Sequence, residues 1–353
     1  MSRAARTALA STVVFVVSGT LSGLLIDDYK GAAGALEWVL RTLVVISAAV
    51  ALGAAFVLVL RLRQRVNPRP VSWAVTVAAA AAFAFFVVQP TVFAVYLTHL
   101  PTRRAVHDAD LGVPKQPVTL TTANGLRLRG WYVPSRNGAA VAVMHGTGSN
   151  RLGVADHARL LARHGYGVLI FDLHGHGQSD GRSTSLPARF QQDADAALAY
   201  LRQRPDVHAG RIGIVGNSLG GEVAIHAAAD HPEWRAIVLE GVQGASPADM
   251  KASQPDPATF AALTAVYGLG RVLGGSGPSA SNAEQIERIT PRPLLLLSAG
   301  RATEARANEE YKRRGGPTTK LWNLPEATHA ATLRTDPAGY ERRVISFLDR
   351  ALR

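Results

Sequence analysis

Gly216-Asn217-Ser218-Leu219-Gly220 sets a serine between two glycines, each two residues away. A turn that tight closes only where no side chain occupies the flanking positions. It lifts the serine Oγ clear of the chain, toward the start of the helix that follows. The positive end of a helix dipole favours the negative charge that develops when that oxygen attacks a carbonyl. The implied chemistry is acyl transfer. The five-residue pattern arises by chance in roughly one chain in ten of this length, so its flanks carry the weight. An apolar run, Ile212–Val215, precedes it, and a helical stretch, Gly220–Asp230, follows it.

Serine is a poor nucleophile at neutral pH and needs a base. Three histidines follow it: His226, His231 and His329. His226 falls two turns into the helix after the serine, where it packs or faces water. His231 stands at the end of that helix before Pro232, in a capping position. His329 follows a strand-like run, Lys320–Leu324, and a short loop, and it precedes a final helix, Gly339–Leu352. A loop histidine there can reach Oγ, and His329 is the expected base. The acid that orients it is expected in the loop after Leu294–Ser298, where Glu304 is the one carboxylate before the next helical stretch. Glu240 and Asp249, after the preceding strand, are its rivals. A tetrahedral intermediate needs two backbone N–H donors, and losing one costs ~3 kcal/mol. Leu219, directly after the serine, and Thr147, directly after His145-Gly146, are the expected donors, with His145 read as a structural hydrogen-bonder.

Other chemistries are disfavoured. The chain has no cysteine, which removes thiolate metal sites, disulfides and a cysteine nucleophile. His174 and His176 have the spacing of metal ligands, yet nothing nearby completes a site, and the glycines around them read as a turn at a pocket rim. No metal and no cofactor is expected. The net charge of +12 is unevenly placed: residues 1–104 hold ten Lys/Arg against three Asp/Glu, and the rest holds 28 against 23. No basic stripe interleaved with aromatics follows residue 104, which argues against nucleic acid as a partner.

The elements around these residues are strands and helices in alternation. Val118–Thr122 and Leu126–Val133 flank Asn124-Gly125, a hairpin signal. Short apolar runs recur at Ala140–Met144, Val168–Phe171, Ile212–Val215, Ala236–Leu239 and Leu294–Leu297, as in strands buried on both faces. Helical stretches at Asp156–His164, Gln191–Gln203, Gly220–Asp230 and Ala305–Arg314 separate most of them. The expected fold is α/β, a doubly wound and mostly parallel sheet, with its site at the carboxyl ends of the strands.

Residues 1–104 read differently. Apolar stretches at about 8–26, 42–60 and 71–97 approach or exceed the ~20 residues that cross a bilayer. About three transmembrane helices are therefore expected, making the lipid bilayer a partner. Arg3 and Arg6 before the first stretch also suit a signal peptide, but no small-x-small cleavage site precedes Asp27-Asp28. Pro90 is expected to kink or shorten the third span. Arg3, Arg6, Arg61, Arg63, Arg65 and Arg69 set the amino terminus and second loop in the cytoplasm. Three spans then put residues 105–353 outside it, as the enzymatic part of a multi-pass membrane protein.

Three motifs carry a family resemblance: His145-Gly146-Thr147-Gly148, the run from Asp172 to Gly181, and Gly216-Asn217-Ser218-Leu219-Gly220-Gly221. Residues 117–353 resemble the α/β-hydrolase superfamily, in its serine aminopeptidase-like and prolyl-oligopeptidase-like branch. The resemblance implies a triad of Ser218, an acid and His329, a Thr147/Leu219 oxyanion hole, and no cofactor. The family commonly has Asp three residues after the glycine ending the acid-bearing strand. Here Thr303 stands there, so Glu304 serves by a one-residue shift. The His-Gly-Gly-Gly motif of many lipases and esterases is absent. An insertion at about 245–289, with a helical patch at Pro257–Leu273, falls where the superfamily places its cap. The expected activity is hydrolysis of an ester or amide in a small-molecule acyl substrate. The alternatives are a peptidase or acyltransferase of the same fold, or an inactive hydrolase fold serving as a membrane partner protein.

Overall fold

The short apolar runs form the strands of one eight-stranded sheet. The computed structural model describes residues 77–78, 81–99, 105–182, 186–244, 246–254, 256–274 and 280–352. The expected spans at 8–26 and 42–60, and most of the third before residue 81, lie outside the described residues. The chain divides into two units, residues 1–99 with 261–275, and residues 100–260 with 276–353.

In the first unit Ala84–Val88 forms a π-helical turn that leads into helix α1, Gln89–His99. Pro90 sits in the first turn of α1, and a proline lacks the N–H that would continue the ladder, so an irregular turn just before it has a local cause. Phe85, Phe86, Val92 and Phe93 are exposed on this segment. No helix among the described residues is long and apolar enough to cross a membrane.

The second unit opens with the hairpin. Strands β1, Gln116–Thr121, and β2, Arg127–Val133, pair antiparallel around Gly125, whose φ of +83° a side chain would strain. Then follow β3 (Ala140–Met144), β4 (Gly167–Phe171), β5 (Ile212–Asn217), β6 (Trp234–Glu240), β7 (Leu294–Ala299) and β8 (Thr319–Leu324). The sheet order is β1-β2-β4-β3-β5-β6-β7-β8, with every pair after β2-β4 parallel. The helices are α2 (Ala155–Arg163), α3 (Gln191–Arg202), α4 (Leu219–Asp230), α5 (Pro247–Ser253), α6 (Pro257–Gly274), α7 (Asn282–Ile289), α8 (Ala302–Arg314), α9 (Thr332–Thr335) and α10 (Pro337–Leu352). Helices α5 to α7 occupy the expected insertion, and residues 261–275 of it group with the first unit.

Alternation along each strand builds two cores. Ala140, Ala142 and Met144 face one side of β3, and Val141 and Val143 the other; β7 divides likewise into Leu294 and Leu296 against Leu295 and Leu297. Side chains of α3, α4, α7 and α8 fill the first core, and those of α2 and α10 fill the second. The sheet is thus covered on both faces, as the continuous apolar runs require. Truncating a fully buried leucine such as Leu296 to alanine costs about 2–5 kcal/mol.

Candidate active site

Strand β5 ends at Asn217, helix α4 begins at Leu219, and Ser218 makes the corner between them with φ 52° and ψ −115°. A side chain rarely adopts that backbone, and the surroundings impose it. A Cβ on Gly216 would run into Gly220 O and Gly221 Cα, and one on Gly220 into Met144 O at the end of β3. Both flanking glycines are therefore required by backbone contact. The Ser218 N–H donates to Glu240 O at 2.7 Å, which fastens the corner to β6.

Ser218 Oγ and His329 Nε2 are 2.9 Å apart. On its other side His329 Nδ1–H donates to Glu304 Oε2 at 2.7 Å, and Glu304 Oε1 accepts the Ala299 N–H at 2.6 Å. A carboxylate only accepts, so the imidazole proton sits on Nδ1 and leaves Nε2 free to take the hydroxyl proton. Glu304 is fully buried, whereas the His329 side chain is 31% exposed, open toward the cleft. The serine, histidine and glutamate singled out in the sequence thus come together in one chain of hydrogen bonds. Their supports differ from expectation in one respect: α8 starts at Ala302, so Glu304 lies in its first turn and not in a loop.

Thr147 follows β3 and lines a cleft of about 380 Å³ together with Ser218 and His329. Gly146 beside it approaches Ser218 so closely that a Cβ would come within 3.2 Å of Ser218 Cβ. The N–H groups of Thr147 and Leu219 donate to no group among the described residues. Two free donors beside a nucleophile can receive a developing oxyanion. Thr147, Ser149, Asp156, His157 and Arg334 contribute the polar part of a lining that is about half apolar, and Leu333 is its one large apolar side chain.

The rival acids are engaged elsewhere. Asp249 accepts from Ser246 Oγ, Ser281 Oγ and the N–H groups of Asn282 and Ala283, which joins α5 to α7. Glu240 is bound by His157 and Thr332 and makes no contact with His329. The other histidines have local partners. His145 Nε2 accepts the Leu173 N–H at 3.1 Å, so its Nδ1–H faces Gly146 O. His174 is held by Asp193 at 3.1 Å, and His176 Nδ1–H donates to His174 O. His231 pairs with Asp195 at 2.9 Å. Asp172 of the second motif is fully buried. It accepts Arg151 Nη1 at 2.9 Å and the N–H groups of Arg151 and Gln178 at 2.8 and 2.9 Å. His157 and Thr332 are not legible as parts of the site, and Asn217 is legible only as the residue before Ser218; the one sequence signal near them is Glu240, a charge that closes an apolar strand.

Comparison with known proteins accords with the fold. A family model described as serine aminopeptidase, S33, matches residues 135–299. Esterase Pf2001 of Pyrococcus furiosus superposes with a TM-score of 0.61 at 24% identity, over 72% of this chain and 99% of that one. This is the α/β-hydrolase fold. Among curated proteins similar to this chain, Escherichia coli O157:H7 YfhR is 26% identical over 253 residues, 67% of this chain and 81% of its own. Thiohydrolase aneE of Aspergillus aculeatus is 33% identical over 125 residues, 34% of this chain and 39% of its own.

Proposed function

We propose that the protein is a membrane-anchored serine hydrolase that cleaves an ester or amide through an acyl-serine intermediate. The observation that carries this is the unbroken relay from Ser218 Oγ through His329 to the buried Glu304, open to a cleft beside two free N–H donors. As His329 Nε2 accepts its proton, Ser218 Oγ bonds to the substrate carbonyl carbon. The carbonyl oxygen becomes an oxyanion between the Thr147 and Leu219 N–H groups. The intermediate collapses as the alcohol or amine leaves with the proton from His329. A water then gives its proton to His329 and attacks the acyl-serine, and the acid is released with Ser218 restored. The match to the serine aminopeptidase model and the likeness to an esterase and a thiohydrolase support hydrolysis. The complete relay argues against an inactive partner protein. A cleft of about 380 Å³ with one large apolar lining side chain suits a short acyl group.

Membrane anchoring is supported by the three apolar stretches and by the exposed Phe85, Phe86, Val92 and Phe93 of the 81–99 segment. The arginine bias supports a hydrolase unit outside the cytoplasm. A fluorophosphonate probe tests the chemistry. The full chain should label, Ser218→Ala should not, and a folded wild type that neither labels nor cleaves p-nitrophenyl esters, thioesters or aminoacyl amides ends the proposal. Retention in the membrane after carbonate washing tests the anchor, and release into the supernatant would overturn it.

A further inference from the structure

We infer that Glu240 is a positioning residue that locks the loop carrying His329 to the corner carrying Ser218. The inference rests on the serine hydrolase reading above and goes beyond it.

Ser218 and His329 come from segments 111 residues apart, and proton transfer needs their 2.9 Å separation held closely. A misplacement of about 1 Å can cost ~100-fold in rate. Glu240 is fully buried at the end of β6, in register with Asn217 on β5. Its main-chain oxygen accepts the Ser218 N–H at 2.7 Å. Its Oε1 accepts both the N–H of Thr332 at 2.7 Å and its hydroxyl at 2.5 Å, three residues past His329. Its Oε2 accepts His157 Nε2–H at 2.9 Å, with Asn217 Nδ2 at 3.5 Å. Asn217 Nδ2 also donates to Ala330 O at 3.3 Å, one residue past the base. The next residue, Gly241, has φ +72°, and a Cβ there would come within 2.9 Å of Ala330 Cβ. One residue therefore grips the nucleophile by its main chain and the base loop by its side chain.

Burial alone raises a carboxyl, yet the His157 and Thr332 donors hold Glu240 below its ordinary value. Bonds to an ionised acceptor are roughly twice as strong as neutral ones. Glu240 reaches no reacting atom and Glu304 already orients His329, so the role is geometric.

The full chain carrying Glu240→Gln, Thr332→Val or Asp249→Asn tests this, with p-nitrophenyl butyrate and the fluorophosphonate probe. Per folded molecule, Glu240→Gln should lower kcat and labelling rate about 30–100-fold and leave KM within about twofold, because the substrate is not touched. Thr332→Val keeps its main-chain bond and should lose about 5–10-fold by the same measure. Asp249→Asn removes an equally buried carboxylate away from the site, and should lower the thermal midpoint with kcat intact. Wild-type kcat in folded Glu240→Gln overturns the inference, as does an equal kcat loss in Asp249→Asn. Should Glu240→Gln not fold, wild-type kcat in Thr332→Val overturns it. A wild type inert to both reagents sinks the hydrolase reading itself, whereas an active wild type with active variants sinks the positioning role alone.

Discussion

Ser218 and Ala330 both hold φ at 52°, and they are the two non-glycine residues with positive φ among the described residues. They stand on either side of the Ser218–His329 hydrogen bond, one being its serine and the other following its histidine. A left-handed non-glycine residue costs about 1–3 kcal/mol and persists only where its surroundings impose it. Here Glu240 O holds the first, and Asn217 Nδ2 holds the carbonyl of the second.

Gly241 makes room for that second strained residue. Gly241→Ala meets both an unfavourable φ of +72° and a contact with Ala330 Cβ. It should destabilise the protein by about 1–3 kcal/mol and lower kcat about tenfold or more as His329 shifts. Urea unfolding and steady-state kinetics measure the two effects separately.

Glu304→Gln should hold the fold and lose the reaction. Its amide oxygen can still accept from Ala299, but the amide N–H then faces His329 Nδ1 and drives the imidazole proton to Nε2. That nitrogen can no longer accept from Ser218, and kcat should fall about 10³–10⁴-fold. Glu304→Ala also leaves the buried Ala299 N–H unpaired, an added loss of about 1–3 kcal/mol in stability. Activity in Glu304→Gln above a tenth of wild type would contradict the assignment.

Arg151 and Asp172 form a buried pair in which the aspartate is closed off completely. Asp172→Leu strands the guanidinium beside Trp131, 4.6 Å from its ring. Removing one member of such a pair costs about 3–5 kcal/mol, readable as a shift in the urea midpoint.

The elbow was legible because it is local: its two glycines and its serine fall within five consecutive residues, and the steric reason for each lies within that turn or at the adjacent end of β3. His329 was legible by exclusion, since His226 and His231 sit on or at the end of α4. Glu304 is expected in a loop and lies instead in the first turn of α8, because Gly300 signals a loop and α8 starts two residues later without a side-chain cap. Glu240 reads in the sequence as a rival acid, but its contacts with His157 and Thr332 are not legible there. Its partners lie 83 and 92 residues away, and no local pattern links a strand-ending glutamate to a helical histidine and a threonine past the base.

Acid should weaken the fold through His145 and His176, which lie outside the Ser218–His329–Glu304 chain of hydrogen bonds. Burial drives His145 and His176 down to about 4, against ~6.5 in an unfolded chain. Between those values the unfolded state binds more protons, so the stability they contribute is complete above pH ~6.5 and is lost as pH falls toward 4. Each can remove about 3 kcal/mol. Glu222, pushed up by burial to about 8, works in the opposite sense, since the folded state is then the more protonated one. The informative quantity is therefore the difference between wild type and His145→Gln. The variant should lose close to one proton of slope over that range in a series of unfolding curves.

Charge at the cleft should bias substrate choice. Asp156 is held by Arg159 at 2.5 Å, whereas Arg334 lines the same cleft and makes no ion pair among the described residues. Esters with a carboxylate on the acyl chain should bind better than neutral esters of equal length. One exposed charge pair is worth about 1 kcal/mol, so Arg334→Gln should raise KM about fivefold for the anionic ester only. Equal KM changes for both esters would remove the bias.

The contact between Gly220 and the end of β3 bears on how such an enzyme can diversify. Main chain meets main chain there, so the spacing between the turn at Ser218 and the segment that begins His145-Gly146-Thr147 does not depend on any exchangeable side chain. The rim residues Asp156, Leu333 and Arg334 lie outside that contact, so exchanging them leaves it in place. The same contact closes Gly220 to substitution, whatever the substrate becomes.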